Sequence, residues 1–166
     1  RQLGELLRCK DTVGVELDAE SLLDTRRDAA VVEAGARVAA ALEAGLTPVL
    51  HTSRCKLAHP SGQLAAGETV MRGLCAVVAG LRRRPGFLVA KGGVTSHEVA
   101  RRGLGMARAR VLGQIAAGVP VWKPGPESRF PGLPYVVFPG NVGDDNTLAR
   151  VCERLRTGKQ GGPPDG

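Results

Sequence analysis

A short apolar run meets a pair of glycines in the stretch FLVAKGGVTS, residues 87–96. The apolar residues from Phe87 to Ala90 are consecutive rather than alternating, which is typical of a central strand that helices cover on both faces. Gly92 and Gly93 allow a tight turn, and a helix start follows them. The order of strand, turn and helix is the repeating unit of an α/β protein.

The same alternation of strands and helices runs along the rest of the chain. Apolar residues recur at spacings of three and four in residues 25–44, 68–81 and 144–155, which predicts three helices. Short β-rich runs between them predict strands at 13–17, 47–51, 87–90, 109–112, 119–122 and 135–138. We therefore predict an α/β fold in a single domain: an open, largely parallel or mixed sheet with helices on both faces.

Proline and polar residues punctuate this pattern. The prolines from Pro120 to Pro134 predict rigid turns that bound edge strands. Residues 54–66 predict a long surface loop. Residues 157–166 are polar and rich in glycine and proline, so we expect a disordered tail after a folded domain at 1–156.

Composition excludes several classes of protein. The 166 residues are 43% hydrophobic, and 23 Lys+Arg against 16 Asp+Glu give a net charge of +7. No stretch is apolar enough to span a membrane.

The basic residues are not interleaved with aromatic residues as a nucleic-acid stacking platform requires, so we expect no nucleic-acid partner. The four cysteines lack metal-ligand spacing, which predicts reduced thiols and a cytoplasmic location.

The glycine pair at residues 92–93 is the sharpest candidate for a ligand site. Glycines let the backbone approach a ligand closely, and unpaired N–H groups at a helix start favour phosphate. Lys91 would add a positive charge. The same residues also fit a plain strand-to-helix turn, in which Thr95 and Glu98 form a capping box.

A second glycine loop follows the run at 135–138. Gly140 and Gly143 bracket Asn141 ahead of a helix that is predicted to begin near Asp144. Asp144 and Asp145 either cap this helix or meet a magnesium ion that accompanies a nucleotide, and capping is favoured. Residues 51–54 follow the predicted strand at 47–51 in the same way. Because ligands collect at the carboxyl ends of strands in open α/β sheets, the three loops are expected to face one crevice.

Long ordered motifs connect the chain to a known family. They are AKGGVTS at 90–96, VLGQIAAGVPVW at 111–122 and YVVFPGNVGDD at 135–145, and the likeness extends back through TSR at 52–54. These motifs resemble the carboxyl-terminal nucleotide-binding domain of the four-carbon acid sugar kinase family. The resemblance covers nearly the whole chain except its last residues.

The resemblance implies a function and a set of binding residues. Family members resemble two-domain kinases in which the amino-terminal half holds a small acid such as threonate, erythronate or an oxo-tetronate, and the carboxyl-terminal half holds ATP with Mg²⁺. The nucleotide-binding residues implied in this chain are Gly92, Gly93, Val94, Thr95, Gly140, Asn141 and Gly143, with Ser53 as a weaker match.

The sugar-acid half of the family is absent from this sequence. The helical pattern also opens at Arg1 without a start signal, so we expect a piece of a longer protein. We expect the isolated chain to bind ATP or ADP without turnover, and an apolar face left uncovered to favour a homo-oligomer. The alternative is a stand-alone regulatory module that binds a nucleotide or another anion without catalysis.

Overall fold

The computed structural model describes residues 1–53 and 62–158, which form two compact units. The four-strand unit contains the described residues of Arg1–Lys10, Pro85–His97 and Gly105–Gly166. The parallel-pair unit contains those of Asp11–Arg84 and Glu98–Leu104. The predicted α/β fold with mixed strand directions is confirmed, although its strands lie in two sheets and not in one.

The parallel-pair unit is built around two strands. Strand β1 (Thr12–Leu17) pairs in parallel with β2 (Thr47–Thr52), and helix α2 (Arg27–Glu43) connects them and packs on both. Helix α3 (Gly62–Ala79) packs on α2, and a π-helical segment (Val99–Gly103) packs on α3. The interior is aliphatic, with Val15, Leu17, Leu22, Val38, Val77, Val99 and Leu104 buried.

The four-strand unit is built around one sheet, whose strands are β3 (Leu88–Lys91), β4 (Ala109–Ala116), β5 (Val119–Pro124) and β6 (Tyr135–Phe138). Their order across the sheet is β3, β6, β5, β4. Strands β3 and β6 are parallel, whereas β5 is antiparallel to both β6 and β4. Helix α4 (Gly93–Glu98) follows β3, and helix α1 (Gln2–Leu7) packs on α5 (Thr147–Thr157). Buried residues include Leu6, Leu133, Tyr135, Val136, Phe138, Leu148 and Val151.

Several predicted boundaries change in the structure. Helix α3 begins at Gly62, so the loop predicted at 54–66 is wrong from Gly62 onward, and residues 54–61 lie outside the described residues. Helix α5 ends at Thr157, and the predicted tail beyond Gly158 also lies outside them.

The prediction that prolines bound edge strands is wrong for β5. This strand contains Pro120 and Pro124 and lies between β4 and β6. Pro120 pairs with Gln114 at an irregularity of the ladder, and Pro124 ends the strand. Proline is tolerated at such positions because the regular ladder of N–H donors is already interrupted there.

Three cysteines of the described residues, Cys9, Cys75 and Cys152, are free thiols, and Cys55 lies outside that part of the chain. Burial raises the pKa of Cys152 to about 12, so this thiol stays protonated at neutral pH. Within residues 1–53 and 62–158, no helix is both long and apolar enough to cross a membrane.

Candidate functional site

The two glycine loops lie at one edge of the four-strand sheet because β3 and β6 are parallel. Lys91 is paired with Phe138, so both strands end at the same level. The N–H of Gly92 donates to the Phe138 carbonyl at 2.8 Å, which continues the pairing one step beyond the strands. We call residues 92–93 the Gly92–Gly93 turn and residues 140–143 the Gly140–Gly143 loop.

The Gly92–Gly93 turn depends on backbone conformation and on one buried serine. Gly92 has φ +100°, a left-handed conformation that residues with a side chain rarely adopt. The Ser96 hydroxyl lies 2.8 Å from the carbonyl oxygens of both Ala90 and Gly92, and Ser96 is 1% exposed. The Tyr135 hydroxyl donates to the Ser96 carbonyl at 2.6 Å. These contacts fix the turn on its buried side.

The outer side of this turn is open. Gly93 is exposed, a Cβ placed there would meet no atom within 4 Å, and Val94 is 73% exposed. Helix α4 begins at Gly93, so Thr95 lies inside its first turn and the predicted Thr95–Glu98 capping box is wrong. The first N–H groups of a helix have no partner within it, and here they belong to residues with little side-chain cover.

The Gly140–Gly143 loop is anchored at one end and open at the other. The Gln2 amide nitrogen donates to the carbonyls of Val142 at 3.1 Å and Asp144 at 2.8 Å. Gly140 and Asn141 are exposed, and a Cβ at Gly140 would meet no atom within 4 Å. Gly143 differs, because its φ is +77° and a Cβ there would lie 2.5 Å from the Cβ of Thr147.

Asp144 holds the turn that leads into α5. Its Oδ1 accepts the Asn146 N–H at 3.0 Å, the Thr147 hydroxyl at 2.8 Å and the Arg150 guanidinium at 3.0 Å. The Thr147 hydroxyl and then Arg150 hold the pKa of this carboxyl below its ordinary value. The predicted capping of the helix by Asp144 is therefore wrong: the N-cap of α5 is Asn146, and Asp144 braces the turn that precedes it. Within the described residues, no group of three or more His, Cys, Asp or Glu side chains could hold a metal ion.

Lys91 connects the two loops. Its amine donates to the Gly140 carbonyl at 3.1 Å and lies 5.1 Å from the centre of the Phe138 ring. A half-buried cation thus lies between the end of β3 and the start of the Gly140–Gly143 loop.

Seven of the eight residues proposed from the sequence lie in these two loops or in the first turn of α4, all in the four-strand unit. They are Gly92, Gly93, Val94, Thr95, Gly140, Asn141 and Gly143. Ser53 belongs to the parallel-pair unit, just after β2, where its Oγ accepts the Ala19 N–H at 2.9 Å and donates to Asp18 at 3.2 Å. The Ser21 hydroxyl and backbone, with Ser53, hold the pKa of Asp18 below its ordinary value.

Sequence reasoning missed the residues that support the loops. Gln2 reaches the second loop from the opposite end of the chain, and the contact of Tyr135 with Ser96 also joins distant segments. No local pattern contains such contacts. The only available signal was the serine directly after the glycine pair, since a short hydroxyl side chain often bonds the backbone nearby.

Comparison with known proteins identifies a family for this chain. The family model described as the nucleotide-binding C-terminal domain matches residues 1–148. No curated protein matches the sequence.

Several solved structures share the fold. A Bordetella bronchiseptica protein with a domain of unknown function, crystallised with bound citrate as a domain-swapped dimer, matches with a TM-score of 0.73 and 23% identity over 93% of this chain. A Haemophilus influenzae protein matches with a TM-score of 0.70 and 17% identity over 93% of this chain. This chain spans only 37% and 38% of their respective lengths.

Both structures carry the family name DUF1537, which denotes the four-carbon acid sugar kinase family. At these identities they establish the fold, whereas the sequence match covers most of the chain. The chain therefore belongs to the family of nucleotide-binding C-terminal domains.

Proposed function

We propose that residues 1–156 form the ATP-binding domain of a kinase that phosphorylates a small four-carbon sugar acid of the threonate, erythronate or oxo-tetronate type. The observation that carries the proposal is the pairing of two open glycine loops at the shared carboxyl edge of β3 and β6. Ligands of open α/β sheets bind at such edges.

The chemistry of the loops suits the phosphates of ATP. Backbone N–H groups of Gly93, Val94 and Thr95 can donate to phosphate oxygens, since no side chain of Gly93 blocks the approach. Gly140 and Asn141 would close the site from the neighbouring loop, and Gly143 gives that loop its left-handed turn. Phosphoryl transfer depends mainly on positioning and charge stabilisation, which these groups can provide.

Magnesium would arrive with the nucleotide. Asp144 Oδ1 already accepts three hydrogen bonds, and the described residues contain no cluster of ligands for a metal ion. Mg²⁺ in nucleotide sites commonly keeps several waters and is held by phosphates with one or two carboxylates. The loops thus fit the phosphates, and the ion would neutralise phosphate charge when bound.

The rest of the reaction would belong to another part of the protein. The chain spans 37% and 38% of its structural neighbours, which leaves room for the half that would hold the sugar acid and the catalytic base. We propose that the isolated chain binds ATP and ADP, acts in the cytoplasm, takes no nucleic acid and does not turn over alone.

The test is calorimetric titration with Mg-ATP and Mg-ADP, using Gly93→Asp. The aspartate has space and lies at a helix start, where a negative side chain is tolerated, so the fold should persist. Its charge would repel the phosphates, and we expect at least a tenfold loss of affinity, about 1.4 kcal/mol.

Gly86→Asp is the matched control. Gly86 lies in the same unit, before the opposite end of β3, and a Cβ there would also meet no atom within 4 Å. It should bind like the unmodified chain. Equal affinity of the two variants for Mg-ATP would refute phosphate binding at the Gly92–Gly93 turn.

A non-catalytic module that binds anions is the second candidate. It is favoured by the citrate bound to the Bordetella relative, since citrate is a polyanion without a base or sugar. Titration with citrate distinguishes the two candidate functions. A regulatory anion module should bind citrate about as tightly as ATP, and Gly93→Asp should weaken the binding of both.

Self-association is also part of the proposal. Strand β4 forms an edge of its sheet, with Val111 61% and Leu112 50% exposed, and exposed edges invite pairing with another chain. The Bordetella relative is a domain-swapped dimer, which supports the same expectation. Light scattering should report a mass above that of one chain, and a clean monomer would refute it.

A further inference from the structure

We infer that Lys91 binds the terminal phosphates of a nucleoside di- or triphosphate. Through this contact the site selects these ligands over a nucleoside monophosphate or a nucleoside. The inference rests on the proposed function and adds a ligand-selecting residue to it.

The position of Lys91 is fixed by strand register. It is the last residue of β3, opposite Phe138 of β6, and its amine reaches across to the Gly140 carbonyl at 3.1 Å. The amine therefore lies between the Gly92–Gly93 turn and the Gly140–Gly143 loop. A ligand that contacts both loops must pass close to it.

The hydrogen-bonding capacity of Lys91 is only partly used. A lysine ammonium has three N–H donors. One meets the Gly140 carbonyl, and the face of the Phe138 ring lies 5.1 Å away. The remaining capacity can reach an anion without breaking the bond to Gly140.

The charge of Lys91 is uncompensated within the described residues. Two cations of the same unit do face carboxylates: Arg108 lies 3.5 Å from Glu127, and Arg150 lies 3.0 Å from Asp144. Lys91 has no carboxylate within 4.0 Å among residues 1–53 and 62–158. A half-buried cation without a carboxylate partner attracts an anion more strongly than one already paired with a carboxylate.

The Gly140 carbonyl gives the bond a second consequence. An exposed carbonyl oxygen at the loop would repel phosphate oxygens. Because the amine covers this oxygen, Lys91 makes the Gly140 side of the site more favourable for an anion. Both effects grow with the number of phosphate charges on the ligand.

The experiment measures the affinity of Lys91→Met for Mg-ATP, Mg-ADP, AMP and adenosine. Methionine keeps most of the side-chain length and removes the charge. A hydrogen bond to a charged group contributes about 1.5–3 kcal/mol, which corresponds to roughly 10- to 150-fold in affinity for Mg-ATP and Mg-ADP. Adenosine should change by less than about threefold, since it carries no phosphate. Lys91→Arg should bind Mg-ATP more tightly than Lys91→Met because it keeps the charge.

Lys123→Met is the matched control. Lys123 lies on β5 of the same sheet, next to Arg110, and should leave all four affinities unchanged. If Lys91→Met binds Mg-ATP like the unmodified chain while Gly93→Asp does not, the inference is overturned and the proposed function stands. Equal losses for Mg-ATP and adenosine would show that Lys91 only braces the two loops, which also overturns it.

A second measurement covers the case in which the chain binds no nucleotide. Inorganic pyrophosphate is titrated into the protein while the NMR signals of the backbone amides are recorded. Shifts at Gly93 and Gly140 that vanish in Lys91→Met would support the phosphate role of Lys91. In that case the missing affinity for Mg-ATP and Mg-ADP would refute adenine nucleotide as the ligand. No shift in the unmodified chain would overturn both proposals.

Discussion

Replacing Gly143 by alanine should destabilise the four-strand unit through local backbone and packing effects. The residue has φ +77°, and a Cβ would lie 2.5 Å from the Cβ of Thr147 and 2.6 Å from its Cγ2. Thr147 is 7% exposed, and its hydroxyl is bonded to Asp144 and Arg150, so it has little room to move aside.

The expected magnitude has two parts. A left-handed conformation costs a residue with a Cβ about 1–2 kcal/mol. Forcing an extra methyl into an occupied position costs about 1–3 kcal/mol more. The free energy of unfolding should therefore fall by about 2–5 kcal/mol.

Urea denaturation followed by circular dichroism measures this change. Gly140→Ala is the control from the same loop, because a Cβ at Gly140 would meet no atom within 4 Å. Its free energy of unfolding should change by less than about 0.5 kcal/mol, as at ordinary surface sites. If both variants unfold at the same urea concentration with the same slope, the structural role assigned to Gly143 is refuted.

Two further predictions concern the supports of the loops. Tyr135→Phe removes a hydroxyl that donates to the buried Ser96 carbonyl at 2.6 Å, so the free energy of unfolding should fall by about 1–2 kcal/mol, and an unchanged urea midpoint would contradict this. Asp144 has a pKa below its ordinary value in the folded state, so it stabilises the fold above the unfolded pKa of about 4, and this stabilisation is lost as pH falls through the folded pKa. Asp144→Asn should therefore be less stable at pH 7 and approach the unmodified chain in acid. A stability difference that does not vary with pH would show that the carboxylate charge is not involved.

The elements of the fold were largely predictable because they rest on local patterns. The strand at 135–138 matches β6 at both ends, since its four apolar residues are bounded by prolines. The helix predicted at 144–155 lies close to α5, although Asp144 belongs to the turn before the helix, whose N-cap is Asn146. The separation into two sheets was not predictable, because pairing between strands depends on contacts distant in sequence.

The glycine loops were also found from sequence, but the roles of individual glycines were not. The sequence does not distinguish Gly140 from Gly143. In the structure Gly140 faces open space, whereas Gly143 packs against Thr147. Only the three-dimensional position of Thr147 separates a glycine that leaves room for a ligand from one that the turn requires. The contact of Lys91 with Gly140 was hidden for the same reason.

The parallel register between β3 and β6 has a consequence for how the protein reaches its folded state. The entire β4–β5 hairpin separates these strands along the chain, so the two loops meet only after a long segment has closed. Closing such a segment costs chain entropy before the new contacts repay it, which slows folding. We expect the hairpin to form before the two glycine loops come together, so the edge of the sheet that carries both loops is completed late in folding.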